Sequence, residues 1–488
     1  MTEIHEMSAL ELAAAYRAGQ ASPTEAVDAF MARIEAHSDA LGAFVTVTAD
    51  AARTKAQRAT EKLRAALVSG DALPPLFGIP TAVKDLNSTA GVRTTFGSVV
   101  FADFVPTVSD EIVLRMDRAG MISLGKTNTP EFGSPCYTEP DVAPPARSAY
   151  DLTRSAGGSS GGAAAAVSGG LLPIAQASDG GGSIRIPASV TGLVGFKPSR
   201  GRVTRGPVFG DFTGLSTPGP MARTVRDSAA LLDVLAGPAA GEPSWAPPLP
   251  PGETYLGWCD RPPGRLRIAR WSDAAFTDEP VDPQVRTAYE RAAALLSELG
   301  HEIVDVAPPI GPDVLPTFEV VWSVSAALMP VPDEAEPLLR PLTRWLRSRG
   351  NAVAAPDFGT ALIALRQIAA RAIVELSEYD AVLTPTLARL PAAVGQLRDD
   401  EDPAADFAAQ VQYTPFTAQW NVTGMPAVSL PMGWSEPTPS GEVWPIGVML
   451  AGRPAADHLL YSLAAQVEEA CSDPGNPWRR PAVAVELR

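Results

Sequence analysis

Apolar residues recur at helical spacing along the first seventy positions. Ser8-x-x-Glu11 forms a capping box that opens one helix, and Gly19 closes it. Ser22-Pro-Thr-Glu25 opens a second helix, with Val27, Phe30, Met31 and Ile34 as its apolar stripe, and a third is predicted over 50–67. The period then shortens. An apolar stretch at 79–83 reads as a buried strand. "EIVLRMDRAGMISLGKTN" reads as a helix stopped at Gly120 and followed by a strand, and "GGAAAAVSGGLLPIAQAS" as a small-residue helix and a strand. This alternation predicts an α/β fold, with a mixed or parallel sheet between helices.

A Pro-rich stretch at 237–263 reads as a long surface connection. Beyond it "LRIARWSD" predicts a strand and "PQVRTAYERAAALLSELG" an amphipathic helix ending at Gly300. Residues 310–370 are helical but less regular. Strand signals return in "YDAVLTPTL", "MPAVSLPMGW" and "WPIGVMLAG", and "ADHLLYSLAAQVEEA" predicts a closing helix. The chain thus reads as one unit over 1–488: N-terminal helices at 1–70, a central region at 71–235, the connection, and the remaining sheet at 264–488 with a helical insert at about 310–370.

Composition narrows the function. The 488 residues carry a formal net charge of −16, which argues against nucleic acid and anionic membranes as partners. No apolar run reaches the roughly 18 residues of a membrane span, and "MTEIHEMSALELAAAYRAGQ" lacks the marks of a signal peptide, so the expected location is cytoplasmic. Cys136, Cys259 and Cys471 are too scattered for a disulfide framework. No two of His5, His37, His301 and His458 have metal-ligand spacing, so neither a metal nor a cofactor is expected.

Three polar features are out of place in this pattern. Lys84 ends an apolar strand; such a lysine is commonly a solvated tip, but a buried one loses its proton readily. "AGGSSGG" at 156–162 reads alone as a flexible linker, yet it runs straight into an Ala-rich helix, so its N–H groups can face a site. "SDGGGSIRIP" at 178–187 places Ser183 behind Gly180, Gly181 and Gly182. As a bland feature this is a strand-to-helix turn; as a functional one, the N–H groups of Gly180 to Ser183 form an oxyanion hole beside a nucleophile.

Together with "GIPTAVKD" at 78–85, "GKTNTPEFG" at 125–133, "GFKPSRGRV" at 195–203, "YDAVLTPT", "NVTGMPAVSLPMG" and "PIGVMLAG", these segments resemble the amidase signature family of serine hydrolases. The resemblance implies a large mixed, mostly parallel twisted sheet sandwiched between helices. It also implies a triad carried over onto Ser183, Ser159 and Lys84. Ser183 attacks the carbonyl, Ser159 relays its proton and neutral Lys84 receives it, with the Gly158–Ser159 peptide as the family's cis bond. Ser160 is left with a helix-capping or supporting role. Gly180 stands where many members of that family carry Thr, Ile or Ala.

The implied activity is hydrolysis of hydrophobic or aryl amides, with aryl carbamates (urethanes) and esters as related substrates. The partner is a small molecule and the chain a monomer or homodimer. The expected pocket draws on Phe132, Cys136 and Tyr137, on Phe209 and Phe212, and on Trp322, although each of these is more often a core residue.

Other readings stand beside this one. The catalytic subunit of glutamine-dependent transfer-RNA amidation shares the triad, and a non-catalytic assembly subunit would be expected to lack it. The frames Gly157-x-Ser159-x-Gly161 and Gly158-x-Ser160-x-Gly162 match the nucleophile elbow of Ser-His-Asp hydrolases. That elbow follows a buried strand, whereas the polar "YDLTRSA" precedes it here, and only His301 and His458 come later.

Overall fold

The protein is described by a computed structural model covering residues 3–472, apart from 208–210, 275–276 and 278. The predicted N-terminal helices form at Ala9–Arg17, Pro23–Leu41 and Ala49–Ser69. The Ser8 hydroxyl accepts the Glu11 N–H while the Glu11 carboxylate accepts the Ser8 N–H, a cap contributing about 1 kcal/mol. Val27, Phe30, Met31 and Ile34 are buried, and each contributes roughly 1.5–3 kcal/mol by leaving water.

Eight strands form the main sheet, in the order Glu302–Asp305, Arg267–Arg270, Ala381–Pro385, Pro445–Gly452, Ala427–Trp434, Val194–Lys197, Thr217–Ala222 and Ile174–Asp179. The sheet is mixed, as expected, but parallel pairing is the minority. Only Glu302–Asp305 and Ala381–Pro385 run parallel to a neighbour, both to Arg267–Arg270, and the other five pairings are antiparallel. The connections account for this. Helix Pro283–Glu298 carries the chain over from Arg267–Arg270 to Glu302–Asp305, whereas Ala427–Trp434 turns back directly into Pro445–Gly452.

A second sheet places Ile122–Thr127 between Phe44–Val47 and Pro80–Lys84. Side chains join it to the edge of the large sheet: the Thr81 hydroxyl donates to the Ile174 carbonyl at 3.2 Å, and the Lys84 N–H donates to Gln176 Oε1 at 2.9 Å. Helix Gly161–Ser168 is buried along its whole length in the core shared by both sheets. Its alanines let it lie that close.

Two sequence expectations change in detail. The 237–263 connection includes a short helix, Tyr255–Trp258, with Tyr255 buried. The 310–370 insert forms helices Val314–Ala327, Pro341–Asn351 and Ala355–Glu375, with its own apolar cluster around Val321, Leu365 and Ile368.

Candidate active site

Lys84 is wholly buried at the end of its strand. Its Nζ lies 2.8 Å from Ser159 Oγ and 3.4 Å from the Ser178 carbonyl. Burial lowers its pKa to about 7 although the charge of Asp179 opposes the shift. A large share of Lys84 is therefore neutral near pH 7, with a lone pair able to take a hydroxyl proton.

Ser159 follows a cis Gly158–Ser159 peptide. Gly133, at φ +68°, faces it; a Cβ there would stand 3.2 Å from Ser159 Oγ and 2.4 Å from Leu86. Ser160 occupies the N-cap position of helix Gly161–Ser168 without capping it through its side chain. Its hydroxyl instead donates to the Ser178 carbonyl at 3.1 Å, and its N–H donates to the Ser183 carbonyl at 3.2 Å. Ser160 thus ties together the two segments that carry Ser159 and Ser183.

The glycine run is a turn between strand Ile174–Asp179 and helix Arg185–Val190. Asp179, fully buried, organises it. Its carboxylate accepts the Gly182 and Ile184 N–H groups at 2.9 and 3.1 Å, two bonds from Arg185 at 2.8 and 2.9 Å, and one from Asn421 Nδ2 at 2.8 Å. Desolvation alone would raise its pKa, but the Arg185 charge and these donors overcome it and hold the carboxyl at about 2. From the other side Thr417 Oγ1 donates to the Gly181 carbonyl at 2.6 Å.

This arrangement corrects one expected oxyanion donor. The Gly182 N–H is committed to Asp179, whereas those of Gly180, Gly181 and Ser183 have no intramolecular acceptor among the described residues. Gly182 is needed for another reason: at φ +139° its added Cβ would come within 2.5 Å of Thr417 Oγ1.

Two cavities meet at Ser183. The larger, about 480 Å³, is bordered by Ser159, Ser178, Gly180, Phe96, Phe132 and Phe212. The smaller, about 100 Å³, is bordered by Gly181, Cys136, Ile186, Val314, Phe318 and Val411. Ser183, Ser134 and Trp322 border both. The Trp322 indole donates to Ser134 Oγ at 3.3 Å, stacks on Phe318, and lies over the glycine turn, where a Cβ on Gly180 would meet its ring at 3.6 Å.

Of the expected pocket residues, Phe132, Cys136, Phe212 and Trp322 border these cavities. Tyr137 borders neither. It packs beside Cys136, Ile186 and Tyr413, with its hydroxyl donating to Asp406 at 2.5 Å, because residue 137 points into the core behind the cavity wall. Phe209 lies outside the described residues. The Cys136 thiol is pushed up by burial, next by Asp406, and is a wall group rather than a thiolate.

The two later histidines are engaged elsewhere. His301 Nδ1 accepts the Leu266 N–H at 3.2 Å and its Nε2 pairs with Gln466, while His458 packs on Trp258. Among the described residues no group of three or more His, Cys, Asp or Glu side chains is placed to hold a metal ion.

The Amidase family model matches residues 25–461. The chain belongs to the amidase signature family. Relatives of this amidase include the 6-aminohexanoate-cyclic-dimer hydrolase of Paenarthrobacter ureafaciens, 34% identical over 95% of this chain and 94% of that protein. The acylamidase of Rhodococcus erythropolis is 32% identical over 99% of both chains. The structure of 6-aminohexanoate cyclic dimer hydrolase complexed with substrate superposes with a TM-score of 0.87 at 31% identity, covering 99% of this chain and 100% of that one. The amidase is thus an amide-hydrolysing enzyme.

Several residues of this amidase's site carried no assigned role in the sequence reading. Asp179 and Arg185 stood inside the quoted "SDGGGSIRIP", and Asn421 opened "NVTGMP". A buried acid–base pair six residues apart across a glycine turn is a readable signal. Thr417 offered none, since its contact with Gly181 spans 236 positions.

Proposed function

We propose that this amidase cleaves hydrophobic or aryl amides through a Ser183 acyl-enzyme, with Ser159 and Lys84 as proton relay. Ser183 Oγ attacks the carbonyl carbon and passes its proton to Ser159 as the Ser159 proton moves to neutral Lys84 Nζ. The free N–H groups of Gly180, Gly181 and Ser183 hold the negative oxygen. As the C–N bond breaks, the amine takes a proton from Ser159, which Lys84 replaces. Water then enters by the same relay and releases the acid.

The observation that carries this reading is the 2.8 Å contact between wholly buried Lys84 and Ser159, on the cavity that Ser183 also borders. Aromatic side chains around the larger cavity favour aryl groups. Aryl carbamates and esters belong to the same proposal, because their carbonyls need the same nucleophile and donors. A protein named acylamidase among the relatives supports a small-molecule amide as substrate.

The test is hydrolysis of an anilide by the purified chain without glutamine, ATP or partner. Release of aniline is expected. Glutaminase activity appearing only with partner subunits would favour the transfer-RNA amidation reading instead.

A further inference from the structure

The proposed chemistry makes the two cavities inequivalent. The leaving nitrogen must lie within hydrogen-bond reach of the group that protonates it. Under that reading the group is Ser159, which borders the larger cavity and not the smaller. Gly133 keeps that side of Ser159 Oγ open, since any side chain there would crowd it. With the carbonyl carbon at Ser183, the amine half of the substrate extends into the larger cavity. The acyl half is left with the smaller one, which Ser183 and the Gly181 side of the oxyanion turn also border.

From this we infer that the amidase is selective for short apolar acyl groups on bulky amines. The inference rests on the mechanism proposed above. Volume sets the limits. An apolar cavity of about 150 Å³ takes up benzene. The acyl cavity, at about 100 Å³, is therefore too small for a ring and matches an acyl chain of about two to four carbons. Its walls, including Ile310, Val314, Leu315 and Phe318, give a charged acyl chain no counter-ion. The amine cavity, at about 480 Å³, lies within the range of sites for whole drug-sized ligands. Trp322, fixed by Ser134 and Phe318, is the partition between the two.

Two substrate series test this. In the first, 4-nitroanilides carry acetyl, propionyl, butyryl, hexanoyl and benzoyl groups. In the second, the acetyl group is fixed and the amine grows from anilide to naphthylamide. We expect kcat/KM to fall about tenfold or more between butyryl and hexanoyl and again for benzoyl, the loss typical of groups that do not fit. The amine series should stay within about tenfold.

Leu315→Ala and Val411→Ala, which enlarge the small cavity, should each raise the hexanoyl rate relative to acetyl. A flat or reversed acyl order with active enzyme, or variants that leave the order unchanged, would overturn the partition while leaving the serine mechanism standing. No turnover of any amide by folded enzyme would overturn both.

Discussion

At Lys84, burial strips the ammonium of water while the Asp179 charge favours keeping the proton; burial wins and the pKa falls to about 7. A shifted pKa does not by itself make a base. Lys197 is as deeply buried and also lies at about 7, through burial first and then repulsion by Arg185, yet its Nζ donates to the Pro198 carbonyl. What sets Lys84 apart is the serine hydroxyl at 2.8 Å. In the proposed relay the neutral amine is the active form, so protonation below its pKa removes the base. Activity should therefore rise with pH through about 7 to an alkaline plateau. Lys84→Ala should lower kcat/KM by about 10²–10⁴-fold, with the limb near pH 7 abolished. A pH–rate profile of both proteins checks this, and an unchanged limb in the variant would assign it to another group.

The turn at 180–184 shows what an element adds to its residues. Asp179 grips it from beneath and Thr417 from the side, so its free N–H groups are directed without help from Gly182. Gly180 and Gly182 consequently differ. Gly182→Ala forces a Cβ against Thr417 at positive φ and should lower stability by about 2–4 kcal/mol, with most activity lost. Gly180→Ala meets Ser216 and Trp322 only at ordinary contact distance, 3.6 Å, so the protein should fold normally. It should raise KM for naphthylamides more than for anilides. Thermal unfolding and the two KM ratios separate these outcomes. The strand–glycine–helix order around Ser183 was legible in the sequence because glycines interrupt a strong strand pattern. Strand direction was not: an apolar run such as "MPAVSLPMGW" reads the same whichever way its neighbour runs, and the loop that follows it decides. Nor does closeness to Cys136 in sequence fix which side of the wall the Tyr137 ring faces.

Across the whole molecule, the site is assembled where the edge of the large sheet meets the small one, and helices Val314–Ala327 and Pro341–Asn351 close over it. No helix among the described residues is long and apolar enough to cross a membrane. The motifs at 78–85 and 156–203 made the proposed triad legible because each reactive side chain sits in a short run of distinctive neighbours, although Lys84 and Ser159 are 75 positions apart. The cavities were legible only in part: Phe132, Cys136, Phe212 and Trp322 were expected, whereas Phe318 and Val411 reach the smaller one from distant helices and carry no local signal. The central claim is that Ser183 is the nucleophile of this amidase. Fluorophosphonate labelling followed by peptide mapping tests it most directly. The modification is expected on Ser183 in the native protein and is expected to vanish in a folded Ser183→Ala variant that no longer releases aniline; labelling and turnover that persist in that variant would contradict the account.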